Sequence, residues 1–321
     1  MSRVVVITTS LPRYDGDPSG HFVATEAREA ARRGDDVVVI APGTAAPIEG
    51  ARVVGLPDGG AFGWPGALAR LRERPWRGLA MLRFIAAARS ALRDLGPVDR
   101  VIAHWVLPCG YPIALAARAE LEIVAHGSDV RLLLALPGPL RRRVVGELLD
   151  RGARFRFVSA ELARALGRDS DPRLAAASRV ELPAIDLSSA PTRAQARATL
   201  GLAPRERLLL IVSRLVPSKR VDLALCAAAG SFFERVVVVG DGPERSKLEK
   251  RFPRVRFLGK KPRSEALAWL AAADVLLSAS AAEGAPTVVR EARALGVPVV
   301  CPAVGDLARW AQVDPGIRLV G

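Results

Sequence analysis

Short β-branched runs alternate along the chain with longer stretches rich in alanine and arginine. This is the pattern of β-α-β units wound round a parallel sheet. In the first half the runs that predict strands are Val4 to Thr8, Asp36 to Ile40, Arg100 to Ala103, Glu122 to Ala125 and Phe155 to Ser159. In the second half they are Leu208 to Ser213, Arg235 to Gly240, Val255 to Leu258, Asp274 to Ser278 and Pro298 to Cys301, with Ile317 to Val320 as a last one. The series restarts after a polar, strand-poor stretch from Asp186 to Pro204, which places a boundary between residues 1–190 and 191–321. The expectation is an α/β chain of two Rossmann-like domains whose parallel sheets face a cleft, with ligands beyond the carboxyl ends of the strands. No repeat with a period of about 20 to 50 residues is present, which excludes a solenoid.

The segment from Gly66 to Asp94 reads differently. Trp76, Leu79, Met81, Leu82, Phe84 and Ile85 lie among Arg70, Arg72, Arg74, Arg77, Arg83 and Arg89. Such a helix can lie in the interface of an anionic membrane. The plainer alternative is a surface helix that packs its apolar stripe on the sheet.

Half of the 321 residues are apolar, enough for one large or two medium cores. No apolar run reaches the roughly 18 residues of a membrane span, and Met1-Ser2-Arg3 followed by Val4-Val5-Val6-Ile7 lacks a signal-peptide layout. The expected location is the cytoplasm, with peripheral contact at the inner face of the membrane as a second expectation. Cys109, Cys226 and Cys301 are far apart and form no C-x-x-C pair, so neither a disulfide framework nor a zinc site is indicated, and all three are expected to be buried. The formal charge of +14 would suit nucleic acid. Against that, aromatic residues are scarce and the basic residues are spread over many helices, so no nucleic-acid partner is expected. A positive field also concentrates phosphorylated small molecules and lipid headgroups.

Three motifs carry chemistry. In Glu283-Gly284-Ala285-Pro286-Thr287-Val288-Val289-Arg290-Glu291, two carboxylates stand eight positions apart across a Gly/Pro break after a strand. The break predicts Glu283 on the loop, Pro286 at the first helical position and Glu291 within the helix, with unpaired amides aimed above the strand. Ser213-Arg214-Leu215-Val216-Pro217-Ser218-Lys219-Arg220 follows the strand from Leu208 and offers two cations to a diphosphate, one a planar fork and one a mobile point charge. Lys219 is the first of only five lysines among 47 basic residues. His126-Gly127-Ser128-Asp129 follows a first-half strand, where a switch-point ligand would lie. The other two histidines, in Ala103-His104-Trp105 and Ser19-Gly20-His21-Phe22, are expected in loops there and in structural roles. Val239-Gly240-Asp241-Gly242-Pro243-Glu244 is a tight strand-to-helix turn or a ligand contact. It is not a dinucleotide fingerprint, because the third glycine would fall on Arg245.

Taken in order, these motifs resemble the E-x7-E, G-R-L-x-x-x-K-G, V-G-D-G-P-E and H-G-S-D/N elements of family 4 of the retaining glycosyltransferases of GT-B fold. Ser213 and Arg220 replace two of the family's glycines, and the usual V-G-G after the last nucleotide-domain strand is Val304-Gly305-Asp306. The resemblance implies transfer from a nucleoside-diphosphate sugar with retention of anomeric configuration and without metal or other cofactor. In that reading His126, Glu283, Arg214 and Lys219 are catalytic, and Gly20, Gly240, Gly284, Ala285, Pro286, Thr287 and Glu291 bind the donor, Glu291 through the ribose. The acceptor is expected to be a glycan, a lipid-linked sugar or a small molecule. The chain stops at Gly321, where family members usually continue to a helix that crosses back to the first domain.

Three rivals remain. A metal-dependent GT-A transferase needs a D-x-D site, and Asp15-Gly16-Asp17 and Asp169-Ser170-Asp171 match that short pattern. A sugar-nucleotide epimerase shares the two-domain fold. A non-catalytic paralogue would act as partner or scaffold.

Overall fold

The computed structural model describes residues 1–17, 19–63, 66–168 and 170–320. The chain divides into two compact units. The first comprises Met1–Asp15 and Ser19–Ala184, the second Gly16–Pro18 and Ile185–Gly321.

The sheet of the first unit has seven strands: β1 (Arg3–Ile7), β2 (Asp36–Pro42), β3 (Ala51–Leu56), β4 (Arg100–His104), β5 (Glu120–Ala125), β6 (Arg154–Phe157) and β7 (Ser178–Val180). All pair in parallel in the order β3-β2-β1-β4-β5-β6-β7. The central strands are covered on both faces, so they read as unbroken apolar runs: Val4 to Ile7 and Val37 to Ala41 are all buried. The winding direction reverses between β1 and β4, and the crevice at the carboxyl ends of such a pair is where doubly wound sheets take their ligands.

Two edge strands escaped the periodicity. β3 carries Arg52 and Gly55, and β7 has only three residues, Ser178-Arg179-Val180. Edge strands face solvent, so polar residues are tolerated there and the apolar signal is lost. Gly55 has its own reason: a Cβ there would lie 2.3 Å from the Gly43 carbonyl oxygen.

The segment expected as one interfacial helix is two helices, Ala67–Glu73 and Arg77–Asp94. Pro75 lacks an N–H and forces Arg74 out of the helical region, to φ −140° and ψ 88°, which breaks the run. The longer helix buries Phe84, Ala88 and Leu92, one residue per turn. Trp76, Leu79 and Leu82 stay more than 60% exposed, at 67%, 64% and 63%. One face thus packs on the protein and the other carries bare apolar side chains.

The second unit holds a six-stranded parallel sheet of β8 (Leu208–Val212), β9 (Arg235–Val239), β10 (Arg256–Gly259), β11 (Val275–Leu277), β12 (Val299–Pro302) and β13 (Ile317–Val320), in the order β10-β9-β8-β11-β12-β13. Alternate residues of β8 enter opposite layers. Leu208 and Leu210 pack with Trp269 and Leu270, while Leu209 and Ile211 pack with Val221, Leu225 and Leu248. The winding reverses between β8 and β11. The polar stretch before β8 contains the helix Arg193–Thr199, opened by a capping box between Thr192 and Gln195. Cys109 and Cys301 are buried as expected, but Cys226 is exposed, because it lies on the outer face of the helix Val221–Ala228.

Candidate functional site

The second unit assembles its polar corner at the point where the winding reverses. The β8 loop carries Arg214 and Lys219, the β11 loop carries Glu283, and the neighbouring strands deliver both loops to one place. The Ala281 N–H donates to the Ser218 carbonyl at 2.9 Å, tying the loops together. Lys219 Nζ meets Glu283 Oε1 at 2.5 Å, with side chains 17% and 14% exposed. Arg214 reaches solvent, yet the protein round it lowers its pKa, and the Glu283 charge opposes that shift. The guanidinium nevertheless stays a cation at neutral pH.

Glycines shape this corner. A Cβ on Gly240 would fall 1.8 Å from the Ser213 carbonyl oxygen, and one on Gly242 would fall 2.3 Å from that of Leu215. The Leu215 N–H in turn donates to the Asp241 carbonyl at 2.8 Å. The geometry therefore gives Gly240, expected to touch the donor, a packing role beneath the Arg214 loop. Gly305 has φ +57°, and a Cβ there would sit 2.5 Å from the Glu283 carbonyl oxygen, a close approach that only glycine permits. Arg220, standing where the resemblance has glycine, still adopts the left-handed conformation, at φ 46° and ψ 43°. The turn is kept at a cost of about 1–2 kcal/mol.

Pro286 was expected at the first helical position. It is instead the residue before the helix Thr287–Ala294, with φ −64° and an extended ψ of 111°, and its carbonyl accepts from Val289 and Arg290. Gly284 and Pro286 are buried, while Ala285 and Thr287 are half-buried. Glu291 lies on that helix, 6% exposed, in an ion pair with Arg263 NH1 at 2.7 Å. Burial raises its carboxyl pKa, and Arg263 works against the shift. Arg263 is held in turn by its own N–H on the Gly16 carbonyl at 2.9 Å and by NH2 on the Asp186 carbonyl at 2.5 Å.

The Asp15-Gly16-Asp17 triplet does not open toward a cation. Asp17 is buried and paired with Lys260 at 2.9 Å. Asp169 of the second triplet lies outside the described residues.

In the first unit, β4 ends at His104 and β5 runs out into His126. His104 Nδ1 and His126 Nε2 are 3.0 Å apart, and the rings stack at an interplanar angle of 17°. Phe22 and Trp105 enclose His126, with ring centroids at 4.9 and 4.7 Å. Trp105 has φ +76°, a strained setting for a bulky residue, of the kind that clusters at functional sites. The buried Asp129 carboxylate accepts three backbone N–H bonds, from Val106 at 2.8 Å, His126 at 3.1 Å and Gly127 at 2.8 Å. Burial raises its pKa against those bonds. Beneath the histidines lies an ionic layer: Arg156 pairs with Glu26 and, at 2.9 Å, with Glu122, which also pairs with Arg100 and Arg179. Desolvation first, and then Arg156, pushes the His104 pKa down to about 3. Burial, then His104 and Arg156, takes His126 well below its usual value. Both rings are neutral at physiological pH.

His21 and Phe22 are not in a loop as expected but open the helix His21–Arg32. Gly20 precedes it with φ +64°, and a Cβ there would lie 2.1 Å from the Ser10 carbonyl oxygen, so its observed role is close packing. The geometry brings Lys219 together with Glu283 and sets Arg214 within reach of the Glu283 charge. His126, in the other unit, is joined with His104. Sequence reasoning passed over Phe22, Glu26, Trp105, Arg156, Arg263 and the loop-holding role of Asp129. For His104 a signal existed, since it ends a strand whose neighbour ends just before His126.

Comparison with known proteins matches two family models: one described as Glycosyltransferase Family 4 over residues 19–176, the other as Glycosyl transferases group 1 over residues 206–317. TuaC of Bacillus subtilis (strain 168), whose name assigns it to teichuronic acid biosynthesis, is 33% identical over 228 residues, which cover 67% of this chain and 56% of TuaC. The chain spans about half the length of the curated relatives it matches. Among solved structures, sucrose-phosphate synthase from Thermosynechococcus elongatus superposes with a TM-score of 0.77 at 19% identity, covering 100% of this chain and 86% of that one. Anabaena HepE in complex with UDP-glucose superposes with a TM-score of 0.68 at 19% identity, covering 96% and 82%. These likenesses show the fold, two parallel-sheet Rossmann-like units of the GT-B kind.

Proposed function

Because the chain belongs to the family 4 glycosyltransferases, we propose that it moves a sugar from a nucleoside-diphosphate sugar to an acceptor, with retention of anomeric configuration and without a metal ion. The observation that carries this reading is the Lys219–Glu283 pair with Arg214 beside it at the reversal point of the second sheet. When the bond from anomeric carbon to phosphate breaks, negative charge grows on the departing diphosphate. Fixed cations and free helix-terminal amides stabilise that charge. Arg214, Lys219 and the amides that begin at Thr287 are assigned this role. Gly284, Ala285 and Pro286 form the turn that presents them.

Glu283 exchanges its contact with Lys219 for hydroxyls of the donor sugar, and the freed ammonium turns to the diphosphate. Glu291 takes the ribose hydroxyls, with Arg263 keeping it ionised. His126 keeps the role that the family resemblance gives it, contact with the donor sugar. The acceptor attacks from the face the phosphate leaves, and the leaving phosphate takes its proton. Neither carboxylate is then required as a general acid, unlike the pair in a glycoside hydrolase. HepE, a neighbour in fold, is described in complex with UDP-glucose, which supports this donor class. The acceptor class is a glycan, a lipid-linked sugar or a small molecule.

No helix among the described residues is long and apolar enough to cross a membrane. The exposed Trp76, Leu79 and Leu82 stand beside exposed Arg72, Arg74 and Arg83, and we assign this face to peripheral contact with an anionic bilayer.

Calorimetry with UDP-, GDP-, ADP- and TDP-sugars tests the donor class, and NMR of the product anomer with chelator present tests retention and metal independence. Binding of one donor and an unchanged anomer support the reading. No binding by any of the four, or an inverted product, would overturn it.

A further inference from the structure

The hydrogen bond between the two stacked imidazoles has a direction, and the groups beneath it choose that direction. His104 Nε2 is buried, and its neighbour is Glu26 Oε2 at 3.6 Å, an ionic contact longer than a hydrogen bond. The other oxygen of Glu26 carries the Arg156 guanidinium, so this carboxylate is committed to an ion pair. A lone pair on His104 Nε2 would point at an anionic oxygen, so the proton of this neutral ring belongs on Nε2. His104 Nδ1 is then an acceptor, and the 3.0 Å bond must be donated by His126 Nε2.

We propose that Glu26 and His104 form a positioning relay, in which Glu26 fixes the tautomer of His104 and His104 fixes that of His126, leaving His126 Nδ1 as an unprotonated acceptor. Phe22 and Trp105 hold the ring in place, and the Asp129 carboxylate fixes the backbone that carries it. The tautomer order stands on the geometry alone; its role in transfer rests on the reading that His126 contacts the donor, and it says what kind of contact that is. A neutral ring with a free Nδ1 lone pair accepts a hydrogen bond from a sugar hydroxyl and is not a cation for the diphosphate.

With three histidines in the chain, selective ¹⁵N-histidine labelling gives a resolvable spectrum. The result expected at neutral pH is a proton on His126 Nε2, coupled through the hydrogen bond to an unprotonated His104 Nδ1. A proton found on His104 Nδ1 overturns the relay. In Glu26→Gln, with its fold checked by the backbone amide spectrum, the opposite orientation should become populated; an unchanged imidazole spectrum also overturns it. Asn places an amide oxygen near the former Nδ1, so His104→Asn should retain the His126 Nε2 proton and most of the transfer rate. His104→Leu should lose roughly tenfold in kcat, the worth of one hydrogen bond. Equal loss in both variants counts against the relay. The imidazole spectrum is read without turnover, so an inactive chain with the expected spectrum would remove the transferase reading and leave the relay standing.

Discussion

The two polar centres of this chain solve opposite electrostatic problems. The corner of the second unit gathers charge: Lys219 and Glu283 touch, Arg214 stands beside them, and Glu291 meets Arg263 one helix away. The histidine cluster of the first unit excludes charge from its rings, which are stacked, enclosed by Phe22 and Trp105, and held neutral over an ionic layer. A diphosphate whose charge grows needs fixed cations, whereas a hydroxyl needs an oriented neutral acceptor. On the proposed reading, recognition in the first unit is a matter of proton placement, and in the second a matter of field.

The widest separation between the two comes from removing the point charge. Lys219→Ala should cut turnover by about 10²- to 10³-fold, the usual scale for losing one group that stabilises transition-state charge, while the exposed Lys247→Ala leaves the rate unchanged. Steady-state kinetics with a donor identified by calorimetry measures both. Equal rates in the two variants would take Lys219 out of the corner. Lys260 cannot serve as the inert control, because it pairs with the buried Asp17. Lys260→Ala should instead cost about 3 kcal/mol of stability by removing the cation that faces that buried carboxylate, which denaturant titration reads directly.

Backbone packing under the charged corner gives the next effect. Gly240→Ala would drive a methyl to 1.8 Å from the Ser213 carbonyl oxygen at a residue with φ +136°. The expected cost is about 2–3 kcal/mol of stability, with turnover lost as the Arg214 loop shifts. A wild-type melting curve in this variant would mean that the glycine is not wedged beneath the loop.

How much of this was legible in the sequence follows burial and separation. β1, β2, β8 and β9 are covered on both faces and announce themselves as runs of valine, isoleucine and leucine, whereas β3 and β7 lie at edges and carry Arg52 and Arg179. Glu283 and Lys219 could be named from their motifs, but not their contact across 64 residues, because pairing depends on which two loops leave neighbouring strands. The Lys260–Asp17 pair spans 243 residues and leaves no local trace. Phe22 and Glu26 reach the histidines from a helix whose periodicity reports only its buried stripe of Val23, Ala27 and Ala30. Sequence shows which residues can do chemistry; the order of strands in the sheet decides which of them meet.

Lowering the pH strains the neutral centre. The native His104 pKa of about 3 lies below the 6.5 of an unfolded histidine, so below pH 6.5 the unfolded chain binds more protons. The stability contributed by this site is therefore complete above about pH 6.5 and is lost as pH falls toward 3, at up to about 1.4 kcal/mol per pH unit. His104→Asn removes that titration. Chemical denaturation at pH 7 and pH 5 should show wild type losing more stability than the variant, and parallel losses would mean that the ring is protonated in the native state.

The smallest effect concerns a residue that stands against its own backbone. Arg220 holds φ 46° and ψ 43°, a left-handed setting that glycine adopts without steric cost, directly after the lysine assigned to the diphosphate. Arg220→Gly relieves that strain but frees more conformations in the unfolded chain, so the two contributions partly cancel. The net expectation is a gain of about 0.5–1 kcal/mol in denaturant titration with turnover within twofold of wild type. The guanidinium is exposed, so little packing is lost with it. A gain in stability accompanied by a large fall in turnover would show that Arg220 supplies charge to the corner, and would add a third cation to the field that Arg214 and Lys219 set up.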